Sequence, residues 1–403
     1  VKHLYIHIPF CTRRCAYCDF NTYANMEHRI AAYVAALCDE LRQLAAFSPP
    51  LPVSPAARAL RPTIFFGGGT PTLLSVAQFE QILTAASALV PLDGAEITSE
   101  ANPGSEIDRA YLRDLRSIGV NRLSMGVQSL HDPTLRILGR THDADAAYAS
   151  FNDARAVGFD SINLDFIFGL PGQDQAQWEQ TLATITTWGV DHFSLYSLIV
   201  EESTPLYAQV TTGRVQVPDS DATAAMYEAA ISAFASANYV QYEISNWAVA
   251  DQAPFSSQLS ALSSQLSPYP RHACQHNLAY WLNSDYLAAG AGAHGHLYPQ
   301  RYANILGIDA YIAAVQAGQR PVAETTPLAA RDLAAETMFM GLRLNSGVSE
   351  AHVAARCGIT LDAAYGPALH ELLQLGLIER IAGWVRLTPR GRMLGNRVFE
   401  YFV

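Results

Sequence analysis

Leu4-Tyr5-Ile6-His7-Ile8-Pro9-Phe10-Cys11-Thr12-Arg13-Arg14-Cys15-Ala16-Tyr17-Cys18 is the stretch that decides the fold. Leu4–Ile8 reads as a β-strand, and Cys11, Cys15 and Cys18 follow it within eight residues. Thiolates spaced in this way on a loop can converge on one centre, and iron–sulfur clusters are held by closely spaced cysteines. A zinc site is the alternative reading, and it would want a fourth ligand such as His7. Three protein ligands leave one iron of a cluster open, which points to catalysis rather than electron storage. Cys38, Cys274 and Cys357 are scattered, so six cysteines in 403 residues make no disulfide scaffold. In a cytosolic setting the cluster of three points to metal or redox chemistry.

Outward from this stretch the chain alternates short apolar runs with helical patterns. Strands are expected at Thr63–Phe66, Ala95–Ser99, Arg122–Met125, Ser161–Phe166 and Phe193–Ile199. Helices are expected at Met26–Leu44, Val76–Leu89, Asp108–Ile118, Asp143–Val157 and Gln175–Trp188, from apolar residues at three-four spacing. Six strands separated by helices make repeated βαβ units and a parallel sheet. In such sheets ligands gather where the strands end, and every candidate motif is expected at such an end. Two segments break the pattern: Ser48–Pro62, with five prolines, reads as a surface loop, and Asp251–Pro270, rich in Ser, Gln and Pro, as a mobile insertion at the surface.

Composition narrows the function. Half of the residues are apolar and 16% are charged, which excludes a disordered chain. Twenty-six basic against 37 acidic residues give a formal charge of −11, which argues against a general nucleic-acid or anionic-membrane binder. No run approaches the roughly 18–20 apolar residues of a membrane span, and the first residues lack a secretory pattern. A cytoplasmic protein is the expectation. From Arg331 onward, Glu336–Leu342, Ser349–Cys357 and Leu361–Leu375 read as helices, before a hairpin of Leu377–Arg380 and Trp384–Leu387 turning at Ala382-Gly383. That pattern suggests a winged-helix-like domain, and eight Arg against seven acidic residues there are too balanced for a DNA-binding face.

Taken together, the motifs resemble the radical S-adenosylmethionine (radical SAM) superfamily. The resemblance implies a partial (β/α)6 barrel, a [4Fe–4S] cluster on Cys11, Cys15 and Cys18, and S-adenosylmethionine (SAM) on the fourth iron, whose reduction yields a 5′-deoxyadenosyl radical. Phe66-Gly67-Gly68-Gly69-Thr70-Pro71 resembles the stretch that meets the methionyl amine of SAM, and bare backbone there lets a ligand come close. Glu100 in Ser99-Glu100-Ala101-Asn102-Pro103 suits a ribose or amine. Gln128, Arg140 and Asp165 complete the set, with Tyr5 against the SAM site; a guanidinium forks onto a carboxylate. The cofactor residues implied are thus Tyr5, Gly68, Gly69, Thr70, Glu100, Gln128, Arg140 and Asp165, and the organisation is 1–245 barrel, 246–325 connector, 326–403 winged-helix-like domain.

Within the superfamily, YIHIPFC, GGGTP, EANPG, GVQS and GLPGQ resemble the oxygen-independent coproporphyrinogen III oxidase group. Its dehydrogenases carry a further Cys two residues after the third, where this chain has Phe20. The departure matches the group's haem-chaperone branch, as does HNxxYW at His276–Trp281. A histidine beside aromatic rings can ligate haem iron while the rings cover the porphyrin; the alternative is that His276 caps a helix and the aromatics pack as core. The branch implies that His276 helps bind haem, with Cys274 as a neighbour and His294 either a site or a turn residue. It further implies an acceptor haemoprotein and a homodimer. The other branch implies decarboxylation of two propionates of coproporphyrinogen III, each to a vinyl group.

Overall fold

The computed structural model describes residues 2–47, 60–104, 107–251 and 269–403. Six strands lie side by side in chain order and all run parallel: β1 (His3–Ile8), β2 (Thr63–Gly68), β3 (Glu96–Ala101), β4 (Arg122–Gln128), β5 (Ser161–Phe168) and β6 (His192–Ser197). Parallel neighbours need a long return path. Helices Ile30–Phe47, Val76–Ala86, Arg109–Ser117, Ala144–Val157 and Gln175–Ile185 supply it. Asp108, Asp143 and Asp174 each start a helix by accepting the N–H three residues on, at 2.7, 2.8 and 2.8 Å. This is the expected α/β partial barrel.

In this sheet three further strands lie beyond the sequence expectation. β7 (Tyr239–Glu243) and β8 (Asn246–Val249) form an antiparallel pair, with β8 against β6, and β9 (Leu287–Ala289) pairs in parallel with β1. Strands of three to five residues give too few alternations for periodicity to reveal them.

The central strands alternate in kind. Leu4, Ile6 and Ile8, then Leu123, Met125 and Val127, then Ile162, Leu164 and Phe166 join the main apolar core beneath the helices. The residues between them face the other way. There stand His3, Tyr5 and His7, then Arg122, Ser124 and Gly126, then Ser161, Asn163 and Asp165. A parallel sheet dry on both faces reads as continuous apolar runs. Here the two-residue alternation makes one face a seat for helices and the other a polar interior.

After β9 a second sheet of β10 (His294–Leu297), β11 (Gln300–Asn304) and β12 (Val322–Pro327) follows. The C-terminal part has its own core on Leu333, Met338, Val353, Leu369 and Leu372. Its helices are Ala330–Gly341, Glu350–Cys357 and Leu361–Gln374. The first starts six residues before its expected bound at 336, because the Asp332 carboxylate accepts the Ala329 N–H at 2.9 Å. β13 (Val348–Ser349), β14 (Ile378–Ile381) and β15 (Trp384–Leu387) form the wing. Its turn residues Ala382 and Gly383 both have positive φ, +50° and +79°, as a tight two-residue hairpin demands. Arg301 binds Glu336 with two hydrogen bonds of 2.6 and 2.7 Å, tying this part to the second sheet. Among the described residues no helix is long and apolar enough to cross a membrane. Most of the two segments read as surface, 48–59 and 252–268, lies outside the described residues.

Candidate functional site

The cysteine loop is pinned on both flanks. Phe10–Cys11 pairs in parallel with Tyr23–Ala24, the Ala16 N–H donates to Leu138 O at 2.9 Å, and Ala16 O accepts from Leu206 N at 2.8 Å. The three thiols are half-buried and free of disulfides. Each has a hydroxyl or guanidinium beside it. Thr70 Oγ1 lies 3.8 Å from Cys11 Sγ, Arg140 Nη1 3.5 Å from Cys15 Sγ, and Thr22 Oγ1 3.9 Å from Cys18 Sγ. Burial pushes the Cys11 thiol up to about 11 and raises Cys18 as well. Coordination to a metal deprotonates such thiols outright. Among the described residues no three His, Cys, Asp or Glu side chains are drawn around a single-ion position. The thiols share a loop without closing on one ion.

The glycine stretch serves the fold first. A Cβ on Gly68, whose φ is +110°, would sit 2.4 Å from the His7 ring, and one on Gly69 would sit 2.4 Å from Phe10 O. Only bare backbone lets the end of β2 lie this close to the start of the cysteine loop. The N–H groups here are engaged: Gly68 donates to Glu100 Oε2 at 3.0 Å, Gly69 to Ile8 O at 2.8 Å and Thr70 to Phe10 O at 2.7 Å.

Above this stretch sit two carboxyl groups. Burial, with help from the neighbouring Asp165 charge and against the Gly68 N–H, pushes Glu100 up to about 8. Burial also raises Asp165, although Asn163 Nδ2 donates to it at 2.8 Å and Ser124 Oγ at 3.2 Å. Tyr5 Oη is 3.0 Å from His7 Nδ1, and burial raises its pKa strongly. Gln128 ends β4 at a register shift with φ +69°, a left-handed conformation that few residues with side chains adopt. Arg140 donates from Nη2 to Gly126 O and, at 2.6 Å, to Asn102 Oδ1. Its buried Nε has no hydrogen-bond partner among the described residues. Asn102 was not singled out in the sequence. Its signal there is its place two residues after Glu100, at the end of the same strand.

His276 lies deeper in the barrel than most of this set, with its ring 6.5 Å from that of Tyr5. It stands in the first turn of the short helix Gln275–Trp281, at the end where the strands begin. Nδ1 is 2.7 Å from the Oγ1 of Thr63, the first residue of β2. Its N–H donates at 3.2 Å to Glu96, the first residue of β3, and Nε2 is 2.9 Å from Tyr280 Oη. The ring stacks on Phe65 at 5.2 Å, and the residue is 1% exposed. With both ring nitrogens hydrogen-bonded, this conformation leaves none for a metal. A part for His276 in haem binding would require these hydrogen bonds to open, and the rule that every motif lies at a strand's C-terminal end fails for it. Cys274 is closed in as well: its Sγ lies 3.7 Å from Glu96 Oε1, and burial pushes the thiol up to about 12.

His294 differs. It is exposed at the start of β10, and its side chain hydrogen-bonds to nothing among the described residues. The loop before it packs on the cysteine segment, where a Cβ on Gly292 would meet Asn21 Nδ2 at 2.4 Å and Leu306 Cδ2 at 3.2 Å. Phe20, the residue before Asn21 in the chain, and Leu306 are 70% and 58% exposed.

A partial barrel with three cysteines after its first strand and polar residues along its strand ends defines a radical SAM protein. The Radical SAM superfamily is matched over residues 5–185, and the HemN C-terminal domain over residues 328–394. The chain belongs to the HemW family within it. "Heme chaperone HemW" of Bacillus subtilis is 36% identical over 408 residues, covering 100% of this chain and 99% of its own. The protein of the same name from Escherichia coli is 32% identical, covering 99% and 97%. Among solved structures, the E. coli coproporphyrinogen III oxidase HemN superposes with a TM-score of 0.79 at 23% identity, over 99% of this chain and 89% of that one. At that identity the likeness establishes the fold alone.

Proposed function

We propose that the protein is a haem chaperone on a radical SAM scaffold, taking up haem and delivering it to an acceptor haemoprotein. The observation that carries the reading is Phe20. Where the dehydrogenases of the resembling group place a further cysteine, this chain presents an exposed phenyl ring. The full-length similarity to proteins named heme chaperone supports the same reading.

Membership of the radical SAM family implies a [4Fe–4S] cluster and SAM. The residues fit them. Cys11, Cys15 and Cys18 are free thiols with polar neighbours, and would hold the cluster. The unpartnered Nε of Arg140 is a buried donor suited to the SAM carboxylate. With the N–H groups of Gly68, Gly69 and Thr70 engaged, and the Thr70 carbonyl accepting from the Leu73 N–H at 3.0 Å, an ammonium there would be met by the carbonyl oxygens of the two glycines. Glu100 and Gln128 stand at strand ends, with Asp165 and Tyr5 deeper on the same polar face. When bound and reduced, the cluster supplies an electron to SAM.

For haem, the exposed imidazole of His294 is open to an iron, with Phe20 and Leu306 offering apolar surface to a macrocycle. His276 would first have to leave Thr63 and Tyr280. A homodimer follows from the resemblance, and a cytoplasmic setting from composition. Two parallel assays on anaerobically reconstituted protein test the function. The proposal expects saturable haem binding in the Soret band and no protoporphyrinogen from coproporphyrinogen III with SAM and reductant. Product without saturable haem binding would replace the chaperone with the dehydrogenase.

A further inference from the structure

We infer that Asn102 is a positioning residue for the cluster ligands: its side-chain amide sets the spacing of Cys11 and Cys15 before any cluster is present. The inference rests on reading those cysteines as iron ligands.

An unbroken line of polar contacts joins the two sulfurs. Arg140 Nη1 reaches Cys15 Sγ at 3.5 Å, and Nη2 of the same guanidinium donates to Asn102 Oδ1 at 2.6 Å. Asn102 Nδ2 donates to Thr70 Oγ1 at 2.9 Å, and that hydroxyl donates to Cys11 Sγ at 3.8 Å. The line ties together the end of β2, the residue after β3, and the loop that follows the helix Asp132–Leu138. A Cβ at Gly126 would lie in ordinary contact with Arg140 Nη2 and Asn102 Oδ1, at 3.4 and 3.5 Å, and would press on Gln128 Nε2 at 2.8 Å.

Chemistry fixes the sense of every bond. A guanidinium only donates, so the amide must turn its oxygen to Arg140. Its nitrogen then faces Thr70, whose oxygen accepts, and the hydroxyl hydrogen is left for the Cys11 sulfur. An amide alone satisfies both neighbours in this sense. A carboxylate at 102 would keep the bond from Arg140 but take the Thr70 hydrogen for itself, and Cys11 would lose its donor. An alanine would lose both bonds.

The test uses Asn102→Ala and Asn102→Asp in the full chain. In metal-free protein, alkylation of each cysteine by iodoacetamide is followed by peptide mass spectrometry, with Cys18 as internal control because its hydrogen-bond neighbour is Thr22 rather than Thr70, Asn102 or Arg140. The expected result for Asn102→Ala is faster alkylation of Cys11 and Cys15 with Cys18 unchanged. For Asn102→Asp, Cys11 alone slows, because it loses the hydrogen-bond donor that favours its nucleophilic thiolate. After anaerobic reconstitution at limiting iron, Asn102→Ala should hold its iron about 10–100-fold more weakly, as losses of outer partners of metal ligands do. The midpoint potential should also shift, because hydrogen bonds to the sulfurs help to set it. Unchanged rates at Cys11 and Cys15, or an equal rise at all three cysteines, would overturn the inference and leave a merely structural Asn102. Failure of the wild-type chain itself to hold iron with labile sulfide would instead remove the reading of the cysteines on which the inference stands.

Discussion

At the end of the barrel where the strands begin, His276 is bonded through both ring nitrogens, and Glu96 receives the Cys274 thiol and the His276 N–H. At the end where they finish, Arg140 keeps a buried Nε without a described partner, three thiols carry no disulfide, and His294 is exposed. Both ends are built from Cys, His, Glu, Tyr and Thr. What separates the candidate ligands is saturation: His276 and Cys274 are engaged, although His3 Nε2 and Trp281 Nε1 near them are buried without a described partner. Buried polar groups that satisfy one another hold a structure together, whereas donors and thiols left over are what a ligand can use.

The largest effect that could break this contrast is at the cysteines. Cys15→Ala should lower iron and labile sulfide after reconstitution to background by colorimetric assay, with little change in urea unfolding of the metal-free chain, since the thiol is half-buried and outside the apolar core. Retained iron would show that the open end is not what holds the metal. At the other end, Thr63→Val takes the hydroxyl from both His276 Nδ1 and His3 Nδ1, and should cost at least about 1–3 kcal/mol in urea unfolding. Iron content should be unchanged.

A smaller effect sharpens the picture of the open end. Glu100 titrates near 8 in the folded chain against an ordinary 4.5. Between those values the folded chain holds a proton that the unfolded chain has lost. Its contribution to stability is therefore full below pH 4.5, declines as pH rises toward 8, and levels off above. The slope is at most about 1.4 kcal/mol per pH unit for one proton. Glu100→Gln should flatten this part of the stability–pH curve of the metal-free protein, and an unaltered curve would mean that the carboxyl is ionised in the fold.

The barrel frame is legible in the sequence because its signals are local. Strands such as SINLDF alternate over six residues, and Asp108, Asp143 and Asp174 cap the helices that follow them. Ala382-Gly383 announces its hairpin in two residues. The cysteine spacing is likewise local, and it singles out the loop without the rest of the fold. The saturation of His276 is not local: its partner Thr63 lies 213 residues away. The same holds for β9, whose Leu287 pairs with Leu4, and for Asn102, whose role exists only once Thr70 and Arg140 are brought to it. A motif identifies a residue type that can do chemistry, and tertiary partners decide whether it is free to do so.

The central claim is that the open end, not the saturated one, receives haem. Haem titration of anaerobically reconstituted wild-type, His276→Ala and His294→Ala proteins, followed in the Soret band, tests it most directly. The account predicts saturable binding by the wild type and by His276→Ala, and its loss in His294→Ala. Binding that survives in His294→Ala and disappears in a folded His276→Ala would contradict it.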